Sequence, residues 1–135
     1  MNVRSQLIYV SAAITFGLGL LGLVNPIFTA SMLGLDIVDP RGLSQVRATF
    51  GMLHLALGAI VVRGSLPRPG AGVYLRVAAL LIGAVAVGRL LSIVLDGAMT
   101  LLNLLFLISE TVALAGVVLA WLDPERRKPT QTPTA

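Results

Sequence analysis

Cysteine is absent from this chain, and histidine occurs once, as His54. The first absence excludes disulfides, thiolate metal sites and cysteine nucleophiles, and it leaves the redox compartment open. The second excludes a bis-histidine haem or a zinc site within one chain. Only a symmetric pair of chains can bring two copies of His54 together. Charge is scarce too: Asp, Glu, Lys and Arg make up 12% of the residues, where about a quarter is usual in soluble domains. No phosphate-cradling glycine loop is present, and no nucleophile, base and orienting residue stand at recognisable spacing. Paired-carboxylate chemistry would need Asp96 beside Glu110, and on spanning helices those two lie about 20 Å apart in depth. These absences predict a protein that is not an enzyme, with no metal site, no catalytic residue and no cofactor.

What is present is apolar. Hydrophobic residues make up 56% of the chain and the mean hydropathy is +0.92. A domain of 135 residues cannot hide that much apolar surface from water, because much of a small domain's surface stays exposed. The expected solvent, and first partner, is the lipid bilayer. A net charge of +4 with a pI near 10.7 would suit nucleic acid, but the basic residues sit in short connections, at the ends, or singly inside apolar runs. They form no stripe interleaved with aromatics, so no nucleic-acid partner is expected. Nine arginines against one lysine, among abundant Ala, Gly, Leu and Val, point to a GC-rich bacterial coding sequence.

A spanning helix needs roughly 20 mostly apolar residues. Four runs qualify, at about 6–24, 44–62, 73–95 and 98–122. The predicted fold is all-α: four transmembrane helices in an antiparallel bundle, one domain over 1–122, then a polar tail over 123–135. The tail, "DPERRKPTQTPTA", is Pro/Thr-rich and is expected to be disordered. Arg4 precedes the first run as in a signal peptide, but the run is too long and no small-x-small cleavage site follows. It reads as a retained helix. Between helices one and two, the apolar "IFTASMLGL" suits a short helix lying at the interface. "DPRG" reads as a turn into helix two. "RGSLPRPGAG" breaks the chain between helices two and three. Helices three and four are joined only by "DG" and form a tight hairpin.

Orientation follows from Lys and Arg in the short loops. Arg4, Arg63, Arg68, Arg126, Arg127 and Lys128 fall on one side, with only Arg41 on the other beside Asp36, Asp39 and Asp96. That asymmetry predicts a multi-pass protein of the bacterial inner membrane with both termini cytoplasmic. Tyr74 and Trp121 then fall at the cytoplasmic interface, where amphipathic aromatics sit.

The informative residues are the few polar ones inside the spans. In "AVAVGRLLSIVLDGAM", Arg89 lies seven residues before Asp96, two helical turns or about 10 Å deeper, with Ser92 on the same face. Helix two carries Arg47, Gly51, His54 and Gly58 at i, i+4, i+7 and i+11, one face of an ideal helix. Gly51 and Gly58 there allow close helix approach. Helix four carries Glu110 with Asn103 two turns away on the same face. An unpaired charge at the bilayer centre costs about 2.5–3.5 kcal/mol on translocon scales. Turning Arg47, Arg89 and Glu110 inward, with His54 at similar depth and Asp96 at the mouth, predicts a buried polar cluster open to the outer face. Two plainer readings stand beside it. Arg47 and Arg89 can snorkel to the headgroups, and a buried ion cluster can be purely architectural, fixing helix register.

The stretches "LGLDIVDPRGLSQVRATFGM" and "VGRLLSIVLDG", with the lone acid Glu110, carry a resemblance. The chain resembles a family of small bacterial four-helix integral membrane proteins catalogued as a domain of unknown function. That resemblance implies the four-helix fold and marks Arg47, Gly51, Arg89, Asp96, Gly97 and Glu110. It implies no activity. Small size, the missing catalytic chemistry and the close-packing glycines favour a non-catalytic accessory or assembly partner of a larger membrane complex, or a homo-oligomer. The alternative is a binding or transport module for a small anion or lipid headgroup, using the Arg/Glu/His cluster. A third reading is a haem-linked subunit built on paired His54.

Overall fold

The computed structural model describes residues 3–66 and 68–122, with side chains described from Gln6 onward. The tail expected to be disordered, 123–135, lies outside the described residues. All regular structure in the described part is helical: α1 Val3–Val24, α2 Pro26–Met32, α3 Pro40–Val46, a π-helical stretch Arg47–Met52, α4 Leu53–Ser65, α5 Ala71–Leu95 and α6 Leu101–Trp121. α3, the π stretch and α4 follow one another without a break. Four helical segments are long and apolar enough to cross a membrane: Gln6–Val24, Pro40–Ser65, Ala71–Leu95 and Leu101–Trp121. By that measure the chain is a multi-pass membrane protein.

The helix ends follow local chemistry. Asn25 accepts from the Phe28 amide at 3.2 Å and Pro26 takes the first position of α2, where its missing N–H costs nothing. Gly34, at φ 70°, closes α2 while the Leu35 amide reaches back to the Ala30 carbonyl at 2.9 Å. The "DPRG" stretch is not a free turn. Asp39 caps α3 by accepting from the Arg41 amide at 2.7 Å and Pro40 starts the helix, so this span begins earlier than position 44. The connection before α6 is longer than "DG". Asp96 ends α5 and Thr100 caps α6 by accepting from the Asn103 amide at 3.2 Å. Asn103 Nδ2 also donates to the Ala98 carbonyl at 2.8 Å, which holds that connection against the first turn of α6.

The long helices form a closed ring: α1 packs on α4 and α6, and α5 packs on the same two. Ile8, Ala12, Val61, Leu75, Ala78, Ile82, Ala113, Val117 and Ala120 make the buried core. These come from the first half of α1, the end of α4, the first half of α5 and the end of α6, so the core fills one end of the ring. Gly116 and Gly64 bring neighbours close there. A Cβ on Gly116 would stand 3.0 Å from Ser11 Oγ, and one on Gly64 would stand 2.7 Å from a Leu75 methyl. Large apolar side chains such as Leu80, Val94, Leu95 and Leu101 stay exposed on the outside, as lipid-facing positions do. The other end of the ring is built differently, and the polar residues lie there.

Candidate functional site

Arg89 on α5 and Glu110 on α6 face each other at that end. Arg89 Nη2 donates to Glu110 Oε1 at 2.7 Å, and Nε lies 3.1 Å from both carboxylate oxygens. Arg89 Nη1 donates to Asn103 Oδ1 at 3.0 Å. The Phe106 ring covers the guanidinium, with its centroid 4.9 Å from Cζ. Asn103, Phe106 and Glu110 stand at i, i+3 and i+7 on α6, so one helix face holds the arginine on three sides. This is the bidentate geometry that makes Arg–carboxylate pairs strong.

The pair sits in the wall of a cavity of about 620 Å³. Leu18 and Leu21 of α1, Leu53 and Leu57 of α4, and Ile82 and Val85 of α5 supply much of its apolar lining, and Met32 at the end of α2 and Leu33 just after it border it. Thr15, Thr29, Thr49, His54, Ser92, Asp96 and Ser109 add scattered polar groups. Thr15 itself is satisfied, its hydroxyl donating to the Ser11 carbonyl at 2.7 Å.

The expected buried cluster of charges does not form. Arg89 and Glu110 are half-buried, with 17% and 16% of their side chains exposed, and they are the only two of the predicted charges that pair. Arg47 is exposed and points elsewhere. Its Nε donates to the Leu23 carbonyl at 3.4 Å, at the C-terminus of α1, where a cation meets free carbonyls and the negative end of the helix dipole. The reason lies between Arg47 and His54. An ideal helix would put both on one face, but the π stretch Arg47–Met52 widens the turn and rotates Arg47 away from it. His54 and Asp96 line the cavity without a bond to either member of the pair, and so does Ser92.

His54 has its own anchor. Nδ1 lies 2.9 Å from the Thr49 carbonyl, and because a carbonyl only accepts, Nδ1 carries the proton. The Phe50 ring stacks on the imidazole at 5.9 Å between centroids. Among the described residues, no three His, Cys, Asp or Glu side chains converge as metal ligands.

The glycines serve the contact between α1 and the helix Pro40–Ser65. A Cβ on Gly51 would stand 3.1 Å from the Leu23 amide nitrogen, and one on Gly58 would stand 2.9 Å from the Phe16 ring. Gly19 and Gly22 complete the contact from the α1 side: a Cβ on Gly19 would reach within 2.7 Å of the Leu55 amide nitrogen, and one on Gly22 would collide with the Phe50 carbonyl. In the sequence Gly22 shares one side of helix one with Ser11, Thr15 and Asn25, whereas Gly19 and Phe106 do not stand out, although the i, i+3 spacing of the two glycines and the place of Phe106 between Asn103 and Glu110 are readable there.

No curated protein and no solved structure matches the chain. A family model does, over residues 5–122, which takes in every residue lining the cavity. The chain therefore belongs to that family, the Domain of unknown function (DUF4345).

Proposed function

We propose that this protein is a non-catalytic, membrane-embedded binding protein that holds a small amphiphilic molecule in the open end of its bundle. The cavity carries this reading. Its volume of about 620 Å³ falls within the roughly 300–1,000 Å³ of small-molecule sites, which also share its plan of apolar walls with a few convergent polar groups. An ion pair that served only to fix helix register would need no open edge. Arg89 and Glu110 instead keep an edge on the cavity. An assembly role, as the composition favours, has no feature of comparable definition behind it.

Loop charges support an orientation in the bacterial inner membrane with both termini and the α4–α5 connection in the cytoplasm. Arg63 stacks on Tyr74 and Arg76 on Trp121, with Cζ 5.7 and 5.2 Å from the ring centroids. These pairs suit an interfacial belt at that end. The cavity then lies in the outer half of the membrane.

Native mass spectrometry of the protein gently extracted from its own membrane tests the reading. Gly88 lines the cavity, and a Cβ there meets nothing within 4 Å, so Gly88→Leu should obstruct the cavity without disturbing the ring. The expected result is a lipid-sized mass on the wild type that the equally well folded variant has lost. A bare wild type, or the same mass retained by the variant, would overturn it.

A further inference from the structure

We infer that the ligand is a neutral lipid with a hydroxyl head, an inference that rests on the binding reading above. The pair that meets the head has no net charge to offer. Glu110 already holds the Nε and Nη2 side of Arg89, and Asn103 holds Nη1. Of the five N–H groups of a guanidinium, three are therefore in use and two remain. On the carboxylate, Oε1 accepts twice and Oε2 once, so Oε2 keeps accepting capacity. The pair thus keeps both free donors and free accepting capacity. A hydroxyl both donates and accepts and meets both needs alone.

Charged heads fit worse. A carboxylate or phosphate only accepts, and it would bring negative charge against Glu110. The remaining lining strengthens this bias, because it adds a second carboxylate, Asp96. One cation against two carboxylates leaves the lining with a formal surplus of negative charge. An ammonium head would gain from Asp96 but would meet the Arg89 guanidinium at the polar wall. Like charges at close range in a low-dielectric site are costly. The neutral head avoids both conflicts.

Three probes with the same hydrocarbon chain separate these cases: oleyl alcohol, oleate and oleylamine, each added to the full chain in nanodiscs of zwitterionic lipid. Occupancy is read by native mass spectrometry and by displacement of one probe by another. The expected result is oleyl alcohol binding at least about tenfold tighter than either charged probe, a difference of about 1.4 kcal/mol, and lost in Gly88→Leu. Glu110→Gln, which frees the Arg89 charge, should move the preference toward oleate by at least about tenfold. The wild-type ranking decides the matter even where that variant folds poorly. Tighter binding of oleate or oleylamine would overturn the neutral head and leave the cavity a binding site. Binding of none of the three, with no lipid retained from the native membrane, would overturn both.

Discussion

The two ends of the helix ring use the same four helices for different ends. At the closed end each helix gives the centre a small or β-branched residue, Ala12, Val61, Ala78, Ala113 and Ala120 among them. There the backbones come close enough to leave a solid core. At the open end, small residues serve only one contact, that of α1 with the helix Pro40–Ser65 through Gly19, Gly22, Gly51 and Gly58. The α5 and α6 side instead carries Val85, Arg89, Phe106 and Glu110, whose bulk borders a cavity. In a membrane there is no hydrophobic drive between helices, so close packing goes where small residues allow it. Their placement on all four helices or on one pair decides between core and cavity.

The largest effect should come from breaking the tight pair. Gly22→Ala places a methyl group against the Phe50 carbonyl and the Gly51 amide, backbone atoms that cannot swing aside. Overpacking of this kind costs typically 1–3 kcal/mol and more where backbone must move, so about 3 kcal/mol is expected. Gly17→Ala is the control. No atom lies within 4 Å of its Cβ position, and helix propensity alone favours alanine by up to about 1 kcal/mol. Thermal unfolding in detergent should show Gly22→Ala strongly destabilised and Gly17→Ala equal to or above the wild type. Equal behaviour of the two would mean that α1 does not owe its position to this contact.

A smaller effect separates the polar wall from the packing. Arg89→Gln leaves Glu110 facing the cavity without its cation. Full burial would make that loss about 3–5 kcal/mol. Both side chains keep part of their surface open to the cavity, and about 1–2 kcal/mol is the discounted expectation. Arg89→Leu combined with Glu110→Leu removes both charges together and should recover most of that stability while abolishing selection among the probe lipids. Denaturant titration of the single and double variants checks the first part, and probe occupancy the second. A double variant that stays as unstable as Arg89→Gln would make the pair a structural tie of α5 to α6.

Much of this was legible in the chain, and the failures have physical causes. The four spans follow from apolar runs of membrane length, and Arg89, Asn103 and Glu110 could be placed because α5 and α6 are regular helices on which spacing predicts facing. The spacing argument fails for Arg47 because the π turns of Arg47–Met52 break the 3.6-residue period. Nothing local in "RATFGM" announces that widening. The second span starts at Pro40, ahead of the expected position 44, because Asp39-Pro40 is both a turn signal and a strong helix start. The cavity was out of reach, since it arises from how far two helix pairs stand apart and belongs to no single segment.

The smallest expected effect lies at the open end's rim. Asp39 caps α3, and its carboxylate accepts from the Arg41 guanidinium at 2.6 Å and from the Arg41 amide at 2.7 Å. The side-chain bond to Arg41, followed by the amide bond, holds the Asp39 pKa below its ordinary value of 3.8. A folded-state pKa below the unfolded one means that the ionised carboxylate favours the fold. That contribution is fully present above the ordinary carboxylate range and is lost as pH falls through the depressed folded value. Asp39→Asn keeps a capping oxygen but not the charge. Its unfolding temperature should therefore lie slightly below the wild type at neutral pH and converge with it in acid. The fully exposed ion pair adds little, so the difference should also shrink with salt. A gap that widens on acidification would mean that Asp39 is held protonated in the fold, and that the rim is set by Pro40 and the α1–α4 glycines without its charge.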